Sequence, residues 1–206
     1  MNTDASYLGN YCCLMTVNDV RGIGATEWAD AMEENYGLVT PHALGDSQRR
    51  AWRDELKVLK RAFKDLPECY DGLDVIFEYV IPGNTELGEE PDPEIVIRPD
   101  VIILSSKKVL VLEFKQRDED LRCLQKAARK YVKSIKRYHV NRPNRSVRGV
   151  LVLTHAEEYQ AHEYRLESCS PDTLATVIRD FFEDACEPID DVFTWLETKF
   201  ALIYNI

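Results

Sequence analysis

Long apolar runs are missing from this sequence. The longest unbroken aliphatic stretches of its 206 residues, VIIL at 101–104 and VLVL at 109–112 and 150–153, are four residues each, against the roughly 20 that a helix needs to cross a bilayer. No basic-then-apolar leader opens the chain, so the expectation is a cytoplasmic protein without membrane contact. Glycine and proline number nine each, too few for a collagen-like or low-complexity architecture. The six cysteines, Cys12, Cys13, Cys69, Cys123, Cys169 and Cys186, include no CxxC pair and no partnered histidine spacing. That argues against a zinc site and a disulfide framework and leaves reduced, mostly buried thiols. A glycine-rich phosphate loop is absent too, because the GIG at 22–24 lacks the GxGxxG or GK[ST] context.

What is present is an ordinary globular balance, 45% hydrophobic and 30% charged, which predicts one folded domain with a real core. The net charge of −10 alone would discourage a nucleic-acid partner. The charge is unevenly spread, however. Residues 107–148 carry 14 Lys and Arg against 4 Asp and Glu, a balance of +10, which leaves 12 against 32, or −20, for the rest of the chain. One basic segment sits in an acidic body.

The periodicities predict an α/β fold. Residues 1–46 read as an N-terminal helical extension with one clear helix, Thr26 to Tyr36, capped by Thr26 and stopped at Gly37. A core helix runs from a serine cap at Ser47 to Pro67, with Trp52, Leu56, Leu59 and Phe63 on its inner stripe. DVIFEYVI at 74–81 reads as a strand and 82–93 as an exposed loop. EIVI, VIIL and KVLVLEF follow as short buried strands. From Asp118 to His139 the period becomes helical, with Leu121, Leu124, Ala128, Tyr131, Ile135 and Tyr138 on one stripe and Lys126, Arg129, Lys130, Lys133 and Arg137 on the other side. VRGVLVLT reads as the final buried strand. The order is αβββαβ over a core at 47–168, and 169–206 reads as a C-terminal helical extension. That extension holds one helix capped by Ser170-Pro171, with Leu174, Val177, Phe181 and Ala185 inward, and another starting near Asp190. The apolar tail FALIYNI fits either a buried terminal helix or a surface covered by a partner or by a further domain of a longer chain.

The chemistry concentrates in RPDVIILSSKKVLVLEFKQ. If SSKK is the turn of an antiparallel hairpin, paired residue numbers sum to 213, so Leu104 faces Val109 and Asp100 faces Glu113. Two carboxylates would then share a face with Cβ atoms roughly 5 Å apart, an arrangement that repels unless a positive charge sits between them. Lys115, two residues beyond Glu113, lies on the same face, with Phe114 turned into the core. All-oxygen ligation suits Mg²⁺ or Mn²⁺ rather than zinc. The chemistry expected of this set is metal-assisted phosphodiester hydrolysis, with Asp100 and Glu113 as metal ligands and Lys115 orienting water or stabilising developing charge. The cationic row after Lys115 could follow a phosphate backbone into the site. Gln125 and Glu78 are accessory candidates, each with a plainer reading as a surface glutamine and a sheet-edge ion pair. His155 reads as a turn histidine, and Glu158 with His162, four apart on a helix, lack a third ligand.

The pattern PD-x(12)-E-F-K inside an αβββαβ core, from about Ser47 to Thr154, resembles the PD-(D/E)XK nuclease superfamily. A closer similarity, carried by SQRRAWRDEL, IFEYVIP, the hairpin ending EFKQ, and the helix with Tyr131, Tyr138 and then His139, is to the nuclease-like domain ahead of the helicase in Schlafen-group-3-type DNA/RNA helicase proteins. The resemblance implies a restriction-endonuclease-like core with a mixed central sheet flanked by helices, the same roles for Asp100, Glu113 and Lys115, and DNA or RNA as partner, with a helicase domain in the same longer chain. Such nucleases often carry a glutamate in helix one; here Gln48 stands there, with Glu55 two turns on. The rival expectations are a catalytically inactive nuclease fold that binds nucleic acid or a partner, and an unrelated α/β scaffold in which Asp100, Glu113, Lys115 and Arg98 form only an ion-pair cluster.

Overall fold

The computed structural model describes residues 11–39, 43–84, 91–116, 121–138, 145–155, 160–163 and 166–196. The chain is α/β, a mixed sheet flanked by helices. In chain order it forms β1 (Cys13–Thr16), α1 (Val17–Gly22), α2 (Ala25–Val39), α3 (Asp46–Lys64), β2 (Asp74–Phe77), β3 (Ile81–Asn84), β4 (Pro91–Ile97), β5 (Val101–Leu104), β6 (Lys108–Lys115), α4 (Leu121–Tyr138), β7 (Ser146–Leu153), β8 (Gln160–Glu163), β9 (Leu166–Cys169), α5 (Leu174–Phe182) and α6 (Val192–Leu196). Seven strands make one sheet in the order β1-β2-β5-β6-β7-β9-β8, and β3 pairs with β4 apart from it. The pairs β1–β2, β2–β5, β5–β6 and β9–β8 are antiparallel, whereas β6–β7 and β7–β9 are parallel. The β6–β7 pair needs a crossover, which α4 supplies.

The strands at the centre are buried on both faces, which is why VIIL and VLVL are continuous apolar runs rather than alternating ones. Ile103, Leu110 and Leu112 pack with Trp28, Trp52, Leu56 and Phe63 of α2 and α3 and with Phe181 of α5. Ile102, Leu104, Val109 and Val111 pack with Ile135 of α4 and Trp195 of α6. Of the predicted stripe on α4, Ala128 and Ile135 are buried and Tyr131 is half-buried, while Arg129, Lys130 and Lys133 are exposed; the side chains of Leu121, Leu124 and Tyr138 lie outside the described residues. No helix among the described residues is long and apolar enough to cross a membrane.

Several expected boundaries are corrected. The segment 1–46 is not only helical, because β1 extends the main sheet along β2. α2 includes Thr26 and runs through Gly37 to Val39; the apolar contacts of Trp28 and Met32 in the core outweigh one helical glycine. α3 starts at Asp46 with Gly45 at its N-cap and no side-chain cap, so Ser47 does not cap it, and it ends at Lys64, short of Pro67. DVIFEYVI is broken at Glu78, whose φ of 54° is the only positive value at a non-glycine among the described residues; Ile81 already belongs to β3. The expected loop 82–93 lies partly in the β3–β4 hairpin, and EIVI sits in that hairpin rather than in the central sheet. β7 is not the last strand, since β9 and β8 follow it. His162 is therefore on a strand, opposite Glu167, while Glu158 lies outside the described residues. The boundary at 168/169 falls inside β9. Ser170-Pro171 opens a turn, and the helix starts at Leu174 after Thr173. The tail FALIYNI lies outside the described residues.

Candidate active site

The site forms where β5 begins and β6 ends. The hairpin register runs from Leu104 opposite Val109 to Val101 opposite Leu112, and one further residue sets Asp100 opposite Glu113, as the turn arithmetic requires. Phe114 turns into the core with Trp52 and Leu56, so Glu113 and Lys115 leave β6 on the other face. The hairpin itself fixes Asp100: the Phe114 N–H donates to Asp100 Oδ2 at 2.6 Å, and the Asp100 carbonyl accepts from the Glu78 N–H at 2.9 Å. Asp100 and Glu113 stand close enough for one carboxyl, when protonated, to donate to the other. Lys115 Nζ pairs with Glu113 Oε1 at 2.7 Å. Glu113 Oε2 is buried with no hydrogen-bond partner among the described residues.

Two more carboxylates join them. Glu55 comes from the inner face of α3 and is buried, with the charges of Asp100, Glu78, Glu113 and Lys115 acting on it. Glu78 is only 2% exposed, and the left-handed backbone there ends β2 and leaves its carboxylate among donors from two sides. Trp52 Nε1 donates to its Oε1 at 2.7 Å and Gln48 Nε2 to the same oxygen at 3.1 Å. Arg98 Nε meets Oε2 at 2.5 Å. The Arg98 guanidinium also lies over the Tyr36 ring, 5.2 Å from its centroid, a cation–π contact that holds it in place.

The electrostatics follow from crowding acids where water is scarce. Burial, reinforced by Asp100, pushes Glu113 up to about 8 against the pull of Lys115. Burial and Asp100 likewise raise Glu78 to about 7, opposed by Arg98 and the Trp52 hydrogen bond. Glu55 is pushed well above the carboxylate range by burial and by the charges of Asp100, Glu78 and Glu113. Asp100 is raised by burial despite Lys115 and the Phe114 amide. Burial alone would lower Lys115, but Asp100, Glu113 and Glu55 outweigh it and hold the ammonium charged. The Tyr131 hydroxyl, half-buried on α4, is raised by burial and by Glu113, Asp100 and Glu78, which marks it as a neighbour of the cluster.

Asp100, Glu113, Lys115, Glu55 and Glu78 thus converge. Gln48 reaches the cluster through Glu78. The side chains of Gln125, Lys126 and Arg137 lie outside the described residues, and Arg129, Lys130 and Lys133 stand exposed on α4. Three participants were not read as site residues from the sequence alone. Trp52 and Tyr131 fell on apolar stripes, where an indole N–H or a phenol gives no separate signal. Arg98 was legible only as a member of an ion-pair cluster.

Among the described residues, no group of three or more His, Cys, Asp or Glu side chains is arranged to hold a metal on protein ligands alone. The donor chemistry still fits a hard cation that keeps most of its waters. Two facing carboxylates supply oxygen only, and a buried carboxylate oxygen without a donor, Glu113 Oε2, is the kind of atom a cation satisfies. The chain matches no family model, and no curated protein is significantly similar to it.

Proposed function

We propose that this chain is a Mg²⁺- or Mn²⁺-dependent nuclease domain of the PD-(D/E)XK type that hydrolyses DNA phosphodiester bonds. One observation carries the reading: Asp100, Glu113 and Lys115 meet on one face at the end of a hairpin, with one Glu113 oxygen left unsatisfied. In this reading α3, β2, β5, β6, α4 and β7 are the restriction-endonuclease-like αβββαβ core, and β1, β8, β9 and the β3–β4 hairpin are additions to it. Work in a cytoplasm-like compartment and a helicase domain in a longer chain belong to the same reading, supported by the resemblance.

Asp100 and Glu113 would hold the cation. When bound, such an ion neutralises the carboxylates, polarises a phosphoryl oxygen and lowers the pKa of a water. The remaining roles fall to the chain itself. The Phe114 amide fixes the Asp100 carboxylate, so its orientation needs no rearrangement when substrate arrives. Lys115, kept charged by its acidic neighbours, donates to the attacking water or to a phosphoryl oxygen as negative charge grows there. Arg129, Lys130 and Lys133 on α4 offer countercharge to the backbone of the bound strand.

A catalytically inactive fold that binds nucleic acid or a partner has an observation of its own: Lys115 already closes one Glu113 oxygen, and Gln48 is taken up by Glu78. Incubating the protein with linear, circular, single-stranded and branched DNA, with Mg²⁺ or Mn²⁺ and beside Lys115→Ala, separates the two. Metal-dependent cleavage reduced at least about 100-fold in the variant supports the nuclease. No cleavage of any substrate supports the inactive fold, and cleavage untouched by the variant rejects the assigned site.

A further inference from the structure

α3 turns its inner face to the acidic cluster, and its outer face lines an open cleft of about 500 Å³, within the size range of small-ligand sites. The cleft is walled by Ser47, Arg50, Arg53, Asp54 and Lys57 of α3 and by Gln116. Gln116 directly follows Lys115, so the cleft abuts the end of β6 at which the three site residues meet. Three cations against one carboxylate give it a local balance of +2 on a chain whose net charge is −10. Arg50, Arg53 and Lys57 are all exposed. Lys57 has a 3.0 Å contact with Asp54, whereas Arg50 and Arg53 make no salt bridge with another described residue. Arg49, one position along, differs: it is tied to Glu33 at 2.7 Å and to Asp46 at 3.3 Å and does not line the cleft.

The spacing matters as much as the charge. Positions 50, 53 and 57 lie on one helical face, and at 1.5 Å per residue the row extends about 10 Å along the axis. Consecutive phosphates of one strand lie about 7 Å apart, about twice the 3.4 Å axial rise per nucleotide, so the row matches about two to three phosphates. Arginine's planar fork suits phosphate oxygens, and Lys57 adds a mobile point charge. The row is independent of the basic segment at 107–148, which lies on other elements.

We propose that the α3 cleft is a second phosphate rail, seating about two to three consecutive phosphates of a nucleic-acid strand next to Lys115. The inference rests on the nuclease reading for its location, but it concerns binding and is tested without turnover.

The experiment measures binding of a fluorescent oligonucleotide without divalent metal, across a salt series, for the native chain and for Arg50→Gln/Arg53→Gln/Lys57→Gln. The three side chains are exposed, and circular dichroism with thermal melting checks that the variant folds; Arg50→Lys/Arg53→Lys, which keeps the charge, serves as a second variant. The glutamine variant is expected to bind at least about tenfold more weakly near 0.1 M salt, with the slope of log K against log salt shallower by about 2 to 3. The lysine variant is expected to keep most of that slope. Unchanged affinity and slope in a folded glutamine variant would overturn the rail. So would equal competition by a free mononucleotide at matched phosphate concentration, which would make the cleft a small-anion site. If the native chain binds through this rail yet never cleaves, the rail stands and the nuclease reading fails; if it cleaves and the glutamine variant binds normally, the reverse holds.

Discussion

Lys115 Nζ lies 2.7 Å from Glu113 Oε1, and the other oxygen of that carboxylate, Oε2, is buried without a hydrogen-bond partner among the described residues. One half of Glu113 is satisfied within the chain and the other half is left over. A buried carboxylate in that condition costs stability unless it is protonated or meets a cation.

The first prediction concerns pH. Burial and crowding raise Glu113 to about 8 and Glu78 to about 7, and burial raises Asp74 to about 6, whereas in the unfolded chain such groups titrate near 4. Between those limits the folded state binds more protons than the unfolded one, so stability is full below about pH 4 for these groups and is lost as pH rises through about 6 to 8. Calorimetry in the presence of a chelator should show Tm falling from pH 5.5 to pH 8.5. A Tm that rises over that interval would contradict the buried acidic cluster.

Divalent metal should reverse that loss. Mg²⁺ or Mn²⁺ bound only to the folded state stabilises it by RT ln(1 + [L]/Kd), about 2.7 kcal/mol at a hundredfold excess over Kd. The shift in Tm should be larger at pH 8 than at pH 5.5, where protons compete for the same oxygens. Asp100→Asn should abolish the metal shift and, by removing one of two repelling charges, raise the metal-free Tm at pH 8. A metal shift of equal size in the variant would remove Asp100 from the ligand set.

A third test addresses the support beneath the site. Trp52→Phe deletes the 2.7 Å donor to Glu78 and, because phenylalanine is smaller than the buried indole, also leaves a void, which together should cost about 2 to 4 kcal/mol in urea unfolding. In a Glu78→Gln background the same change should cost clearly less, a coupling that a double-mutant cycle reads directly. Equal costs in both backgrounds would mean that Trp52 acts through packing alone.

Charge reversal on α4 probes the basic segment. Arg129, Lys130 and Lys133 are exposed on one helix, and changing the three to Glu should weaken DNA binding and flatten its salt dependence. Unaltered binding would move the nucleic-acid surface away from these three residues of α4.

Much of this was legible in the sequence, and the misses share a cause. The hairpin SSKK was readable because paired strands obey a fixed sum, and the register that brings Asp100 to Glu113 follows from it. The stripe of α4 was readable because Ala128 and Ile135 recur at helical spacing. Glu78 was legible as an accessory carboxylate but its conformation was not, since nothing in DVIFEYVI announces a left-handed residue; its carboxylate is held by Trp52, Gln48 and Arg98, all distant in sequence. β8 and β9 were missed because a strand of four residues carries too little periodicity to separate it from a helix. The cationic side of α3 went unread because Arg50, Arg53 and Lys57 are diluted by acids in the same helix, and only the fold shows which of them share a cleft with Gln116.

α3 presents Glu55 on one side and Arg50, Arg53 and Lys57 on the other, along a single rigid rod wedged against the sheet by Trp52 and Leu56. Whatever tilts or slides that rod must therefore displace a buried carboxyl group and three cationic ones together. Seating of a strand outside and the balance of charge inside would then be mechanically linked, with no separate messenger between them.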